Sequence, residues 1–204
     1  MATRATSPAR KKTASRPSSQ RPSARGVAEG DYGTGRSAGT RGAPARSSAA
    51  RPGRAQDAIA LLRTDHKLVT ELFEKFEKMK QDSPQKKALV ERICNELTVH
   101  TPIEEEIFYP AAREALKQKG EDLLDEAEVE HASAKELIAQ LRGMNPGEHL
   151  YDAKVTVLSE YIKHHVKEEQ NEMFPRVKKT SLDLKALGEQ LVERKQELMS
   201  GMGQ

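Results

Sequence analysis

The chain has 204 residues and a formal net charge of +3, a total that hides a split: residues 1–56 hold 12 Lys/Arg against 2 Asp/Glu, and residues 57–204 hold 22 against 29. No stretch approaches the roughly 20 apolar residues of a membrane helix, and no early apolar run would serve as a signal-peptide core. One cysteine, Cys94, leaves no partner for an intramolecular disulfide, so the expectation is a cytoplasmic protein with no membrane contact.

Residues 1–56 carry 7 of the 13 Gly and 5 of the 10 Pro, with no Leu, Ile or Phe. Such a segment buries too little to offset roughly 1–2 kcal/mol of backbone entropy per residue, and it reads as a disordered basic tail. Clusters such as Arg10-Lys11-Lys12 suit nucleic-acid phosphates through counterion release. A solubilising linker is the plainer alternative.

From residue 57 the apolar spacing is helical. Leu62, Val69, Phe73 and Phe76 mark a first helix, which Asp82-Ser83-Pro84 ends. Leu89, Ile93 and Leu97 mark a second, and after Gly120 come Leu124, Ala127, Ala134, Ile138 and Leu141 of a third. Asn145-Pro146-Gly147 is a strong turn. A fourth helix carries Val155, Leu158 and Ile162 and is expected to run to about Lys178. Short connections favour antiparallel neighbours, so the fold class is all-α, an up-down antiparallel four-helix bundle. An extra C-terminal amphipathic helix follows, with Leu184, Leu187, Leu191 and Leu198, suited to capping the bundle or pairing with another subunit. The domain reading is a tail over 1–56, a bundle over 57–178, and the C-terminal helix with a frayed end over 179–204.

The inward stripes also contain ionisable residues. His66 lies between Leu62 and Val69, and His131 between Ala127 and Ala134. The second helix runs Ile93, Leu97, His100, Glu104, Ile107, and the fourth Leu158, Ile162, His165, Glu169, Met173. Positions i and i+4 share a face, so each His-x-x-x-Glu points imidazole and carboxylate into one layer. An unpaired buried ion costs several kcal/mol, against a net stability of some 5–15 kcal/mol. Four imidazoles and two carboxylates need a shared partner, which a pair of divalent or trivalent cations supplies.

An internal repeat fixes the register. An offset of 65 residues relates His66 to His131, His100 to His165, Glu104 to Glu169 and Pro110 to Pro175; Phe108-Tyr109-Pro110 matches Met173-Phe174-Pro175. The competing pair His164-x-x-x-Glu168 breaks that offset and leaves the apolar stripe, so His164 is placed on the flank. Glu105 falls about 140° from the ligand face in ideal helical geometry and reads as surface. His149 is expected in the exposed first turn of the fourth helix, and Cys94 in the core. Asp65 and Glu130, each preceding a histidine, suit either a hydrogen bond to an imidazole or the surface.

Asp65-His66, His100-Thr-Pro-Ile-Glu104, Glu130-His131 and His165-Val-Lys-Glu-Glu169 resemble the hemerythrin / HHE cation-binding domain family over about residues 57–178. The resemblance implies a four-helix bundle holding a non-haem di-iron centre, with both carboxylates bridging two Fe ions. Its metal ligands here would be His66, His100, Glu104, His131, His165 and Glu169, with Mn or Zn as lesser alternatives to iron. One departure is clear: oxygen-carrying members place a fifth histidine where this chain has Lys135. The phenol of Tyr161, the carboxylate of Glu130 or a water is left to complete the shell. The expected function is binding or sensing of O2, NO, peroxide or iron itself, by a metal- and ligand-binding protein more than a dedicated enzyme. Alternatives are a di-iron oxidase or peroxide-decomposing enzyme, and a structural bundle presenting a nucleic-acid-binding tail.

Overall fold

The structure is a computed structural model that describes residues 56–202; the basic tail read over 1–56 therefore lies, except for Gln56, outside the described residues. Every element among the described residues is helical: α1 (Ala58–Lys78), α2 (Pro84–Ile103), α3 (Tyr109–Leu116), α4 (Glu121–Arg142), α5 (Tyr151–Glu168), α6 (Phe174–Val177) and α7 (Leu184–Met202). No helix among them is long and apolar enough to cross a membrane.

Local chemistry sets the helix starts. The Asp57 side chain accepts from the Ala60 amide at 2.8 Å, and Ser83 Oγ accepts from the Lys86 amide ahead of Pro84, which takes the first helical position. The predicted turn before α5 contains Gly147 at φ 87°. His149 lies in that turn, exposed, one turn earlier than expected.

The second and fourth predicted helices are each interrupted. A π segment, Glu104–Phe108, separates α2 from α3, and another, Glu169–Met173, separates α5 from α6. In each, an amide five residues on donates to the glutamate carbonyl: Tyr109 to Glu104, and Phe174 to Glu169. Pro110 and Pro175 follow at once. A proline inside a helix offers no N–H, and its ring meets the carbonyl four residues back. The widened turn relieves that clash. It also shifts the buried face: Ile107, read as the next stripe position, is half-buried, and Phe108 is fully buried instead.

α1 packs on α2, α4 on α5, α2 on α4 and α1 on α5. Two apolar clusters fill the interior. One gathers Leu62, Phe108, Tyr109, Ala127, Met173 and Phe174, and the other Val69, Phe73, Leu97, Ala134 and Ile162. On α1, α2, α4 and α5 the inward histidines fall between the two clusters in sequence, so a polar layer interrupts the core. Cys94 is buried in the second cluster, where burial pushes its thiol up to about 11.

α7 lies against α1 and α2, with Leu187 and Leu191 buried. Its close approach depends on Gly188, where a Cβ would clash with the Gln56 carbonyl oxygen and stand 2.8 Å from the Ala58 amide nitrogen. Gly188→Ala gains about 1 kcal/mol of helix propensity. It must also shift rigid backbone, an overpacking cost of about 1–3 kcal/mol. Net destabilisation in a urea titration is the expected result; a stabilised variant would show that α7 is not seated there.

Candidate metal centre

The polar layer brings His66, His100, Glu104, His131, His165 and Glu169 together, all buried. The imidazoles form two pairs. His66 Nε2 and His100 Nε2 are 3.1 Å apart, and so are His131 Nε2 and His165 Nε2. Both carboxylates touch both pairs. Glu104 lies 3.7 Å from His66, 3.0 Å from His100 and 3.4 Å from His131, while Glu169 lies 3.2 Å from His66 and 3.6 Å from His165.

Each Nε2 faces inward because each Nδ1 faces a polar partner from elsewhere in the fold. His131 Nδ1 is 3.1 Å from Glu105, His165 Nδ1 is 2.9 Å from Glu130, His100 Nδ1 is 3.5 Å from Asp65, and His66 Nδ1 is 3.3 Å from the Gln170 amide. Behind His131, His165 and His100 the partner is a carboxylate, which only accepts, so it favours the tautomer protonated at Nδ1 and leaves the Nε2 lone pair for the centre; behind His66 the facing atom is the Gln170 amide nitrogen, a donor, which orients the ring without favouring that tautomer. These partners obey the repeat: Asp65 corresponds to Glu130, and Glu105 to Gln170.

Several sequence readings change here. Asp65 and Glu130 hold not the adjacent histidine but the one on the following long helix. Glu105, read as surface, is half-buried on His131, because the widened turn departs from the ideal angle used to place it. Glu130 is thereby engaged at the outer nitrogen of His165, and Tyr161 is exposed, so neither completes the inner set. Lys135 donates to both Glu105 oxygens. His164 lies on the flank, its side chain 56% exposed, beside Glu168 and Glu130.

Tyr109 was missed. Its hydroxyl donates to Glu169 Oε1 at 3.0 Å and stands 3.4 Å from His131 Nε2. The ring stacks on His131, as Phe174 stacks on His66. The matched Phe-Tyr-Pro and Met-Phe-Pro triplets carried this signal: the repeat aligns Tyr109 with Phe174, and only one of the two bears a hydroxyl.

The donor set fits metal ions. Two nitrogens 3.1 Å apart have the spacing of neighbouring ligands on one ion with bonds of about 2.0–2.1 Å. Both Glu104 oxygens and Glu169 Oε2 are buried with no hydrogen-bond partner. Leaving acceptors bare in the interior is costly, and cations between the pairs remove that cost. Without metal, protons take part of that role. Burial works against charge on His66, His100 and His131, but the neighbouring carboxylates, Glu104 foremost, outweigh it and raise each to about 9. Burial likewise opposes the Glu104 anion, while His100, His131 and His66 hold its carboxyl well below the usual range.

The sequence profile described as the Hemerythrin HHE cation binding domain matches residues 57–177. The chain belongs to the hemerythrin HHE cation-binding family. A hemerythrin HHE domain-containing protein of Mycobacterium kansasii has a similar crystal structure, with a TM-score of 0.60 and 25% sequence identity over 71% of this chain and 88% of that one. A protein described as a DNA nickase, from a Nostoc species, is 28% identical over 119 residues, 58% of this chain. The match covers 32% of that relative, so this chain spans about a third of its length. The His/Glu clusters of this HHE domain are metal-binding in type: His66, His100 and Glu104 form one, and Glu104, His131 and His165 another.

Proposed function

We propose that residues 57–177 hold a non-haem di-iron centre that binds or senses a small oxidant or diatomic ligand such as O2, NO or peroxide. The carrying observation is the pairing of four inward Nε2 atoms around two buried carboxylates, each in reach of both pairs. In this reading His66 and His100 would hold one ion and His131 and His165 the other, with Glu104 and Glu169 supplying carboxylate oxygens within reach of both pairs. Nitrogen and carboxylate donors suit iron and also admit Mn or Zn. The order of the two apolar clusters along the helices, alternating from each long helix to the next, supports the up-down antiparallel course.

A bound iron pair would supply redox chemistry toward oxygen-containing ligands. The protein's part is to orient and to exclude. The Nδ1 partners fix the imidazole planes, and the two apolar clusters keep bulk water from the layer. The Tyr109 hydroxyl, whose one proton is donated to Glu169 Oε1, orients that carboxylate beside the His131 pair. Lys135, held on Glu105, stands where oxygen-carrying members have a fifth histidine; the set of four would leave a bound metal pair short of one ligand, which favours reaction with peroxide, O2 or NO over reversible oxygen carriage.

Elemental analysis of the purified full chain, with visible spectra under nitrogen and after air, tests this reading. Iron near two per chain and an absorption that responds to air are expected. Absence of metal, with stability unchanged by His100→Ala, would remove the centre. Rapid decomposition of added peroxide would shift the reading to a di-iron enzyme.

One relative's description as a DNA nickase, together with the 12 Lys/Arg of residues 1–56, favours a second reading in which the tail carries the metal domain to nucleic acid. A gel shift of the full chain against a chain lacking residues 1–56, at low salt, decides it; equal mobility shifts would end the idea.

A further inference from the structure

We infer that α7 is a working part of the metal centre and that Lys195 on it is a positioning residue for His100. The inference rests on the di-metal reading above. α7 lies outside the 57–177 segment that the family profile matches, yet it reaches the centre by an identifiable chain of side chains. The Lys195 ammonium donates to Asp65 Oδ1. The other oxygen, Oδ2, faces His100 Nδ1 at 3.5 Å, an ion-pair contact, and neither buried atom has a hydrogen-bond partner. The opposite nitrogen of the same ring, Nε2, is 3.1 Å from His66 Nε2 and 3.0 Å from Glu104.

The adjacent residue anchors the same helix end. Arg194 grips both oxygens of Glu106, at 2.7 and 3.3 Å, within the π segment that begins with Glu104. Consecutive cations on α7 therefore hold the residue behind His100 and the segment carrying Glu104. Seating the helix on Gly188, Leu187 and Leu191 sets the distance from which both reach.

The physical need for Lys195 follows from burial. Asp65 is 7% exposed, and a carboxylate so placed needs a compensating cation to stay charged at low cost. Among the described residues Lys195 is the one Lys or Arg side chain paired with it. A charged Asp65 fixes the His100 ring plane and strengthens Nε2 as a donor, as partners behind metal-bound histidines do. The repeat supplies a contrast. Glu130, the counterpart of Asp65, serves His165 with no lysine or arginine paired to it among the described residues; its second neighbour is the exposed His164 at 3.7 Å. In the other pair, Lys135 backs Glu105 behind His131. Loss of Lys195 should thus be felt at the His66/His100 position and not equally at the other. If α7 only covered apolar surface, its Leu side chains would suffice and the charge of residue 195 would be immaterial to metal.

The test uses the full-length chain, stripped of metal and titrated with Co(II), followed by visible absorption and calorimetry. Wild type should show two binding steps. Lys195→Met, which keeps the apolar stem, should weaken one step by about 10–100-fold and leave the other within about twofold. Lys195→Arg should restore the weakened step, and Lys135→Met should weaken the opposite one. Thermal unfolding of the metal-free variants reads scaffold damage separately. Two steps of wild-type affinity in Lys195→Met would overturn the proposal alone, as would equal weakening of both steps with a matching loss of metal-free stability. A wild type that takes up no Co(II) overturns the metal reading and this proposal with it.

Discussion

Replacing Glu104 by glutamine is expected to empty both metal positions of the proposed centre, where replacing any single histidine should compromise chiefly one. Glu104 lies within 3.7 Å of three of the four inward imidazoles, drawn from both pairs. An amide of the same shape loses the anion and turns N–H donors toward Nε2 atoms or the ions. The removed group is also the foremost cause that raises His66 and His131, so the protons that stand in for metal are weakened as well. Metal retained after dialysis should fall close to zero. Glu105→Gln gives the calibrating comparison, because Glu105 acts from behind His131; it should keep metal with affinity lowered by about 10–100-fold. Equal metal content in the two variants would remove Glu104 from the inner set.

The second large effect is on pH. The metal-free domain should be most stable between about pH 4.5 and 6.5 and lose stability as the pH rises toward 9. His66, His100 and His131 bind protons more tightly folded, at about 9, than unfolded, at 6.5. Their contribution is complete below 6.5 and disappears through 9, at roughly 1.4 kcal/mol per pH unit for each group fully out of step. The coupling within the layer keeps the three from adding in full. Glu104 has the opposite sign: its carboxyl is lowered well below 4.5, so its contribution is complete above 4.5 and fades as the pH falls through its folded value. Metal uptake should reverse the alkaline trend, since an ion displaces the imidazole protons and binds more tightly as the pH rises. Thermal melts at pH 6.5, 7.5 and 9, with and without Co(II), check both halves. A metal-free midpoint that rises steadily from 6.5 to 9 would contradict the charge assignment.

What the sequence disclosed and what it withheld divide along physical lines. The six inward residues were legible because two local regularities coincide: the 3.6-residue helical period sets which side chains face the core, and the 65-residue repeat chooses among candidates such as His164 and His165. The groups behind the histidines were not legible, because they come from other helices. Asp65 meets His100, Glu105 meets His131 and Gln170 meets His66. Only a packed structure brings such pairs together. The placement of Glu105 and Ile107 failed for a different reason. Both lie in a π segment, and a phase angle taken from an ideal α-helix no longer applies there. Pro110 and Pro175 were visible in the sequence as part of the repeat, but their effect on the turns before them was not drawn from it. Tyr109 required asking how the two halves of the repeat differ, as well as how they agree.

The contacts around His66 have a kinetic meaning. His66 meets His100 across 34 positions of sequence and Gln170 across 104, so its surroundings are complete only after α1, α2 and the π segment that follows α5 have docked. Such non-local contacts form late on the folding route, because loop closure must precede them. Ions that need this finished arrangement can contribute little to the transition state. They should slow unfolding far more than they hasten folding, seen as a lowered unfolding limb beside a nearly unmoved refolding limb when the protein is loaded with Co(II). The bound state would then persist through the trapping of its ions within a closed bundle as well as through their equilibrium affinity.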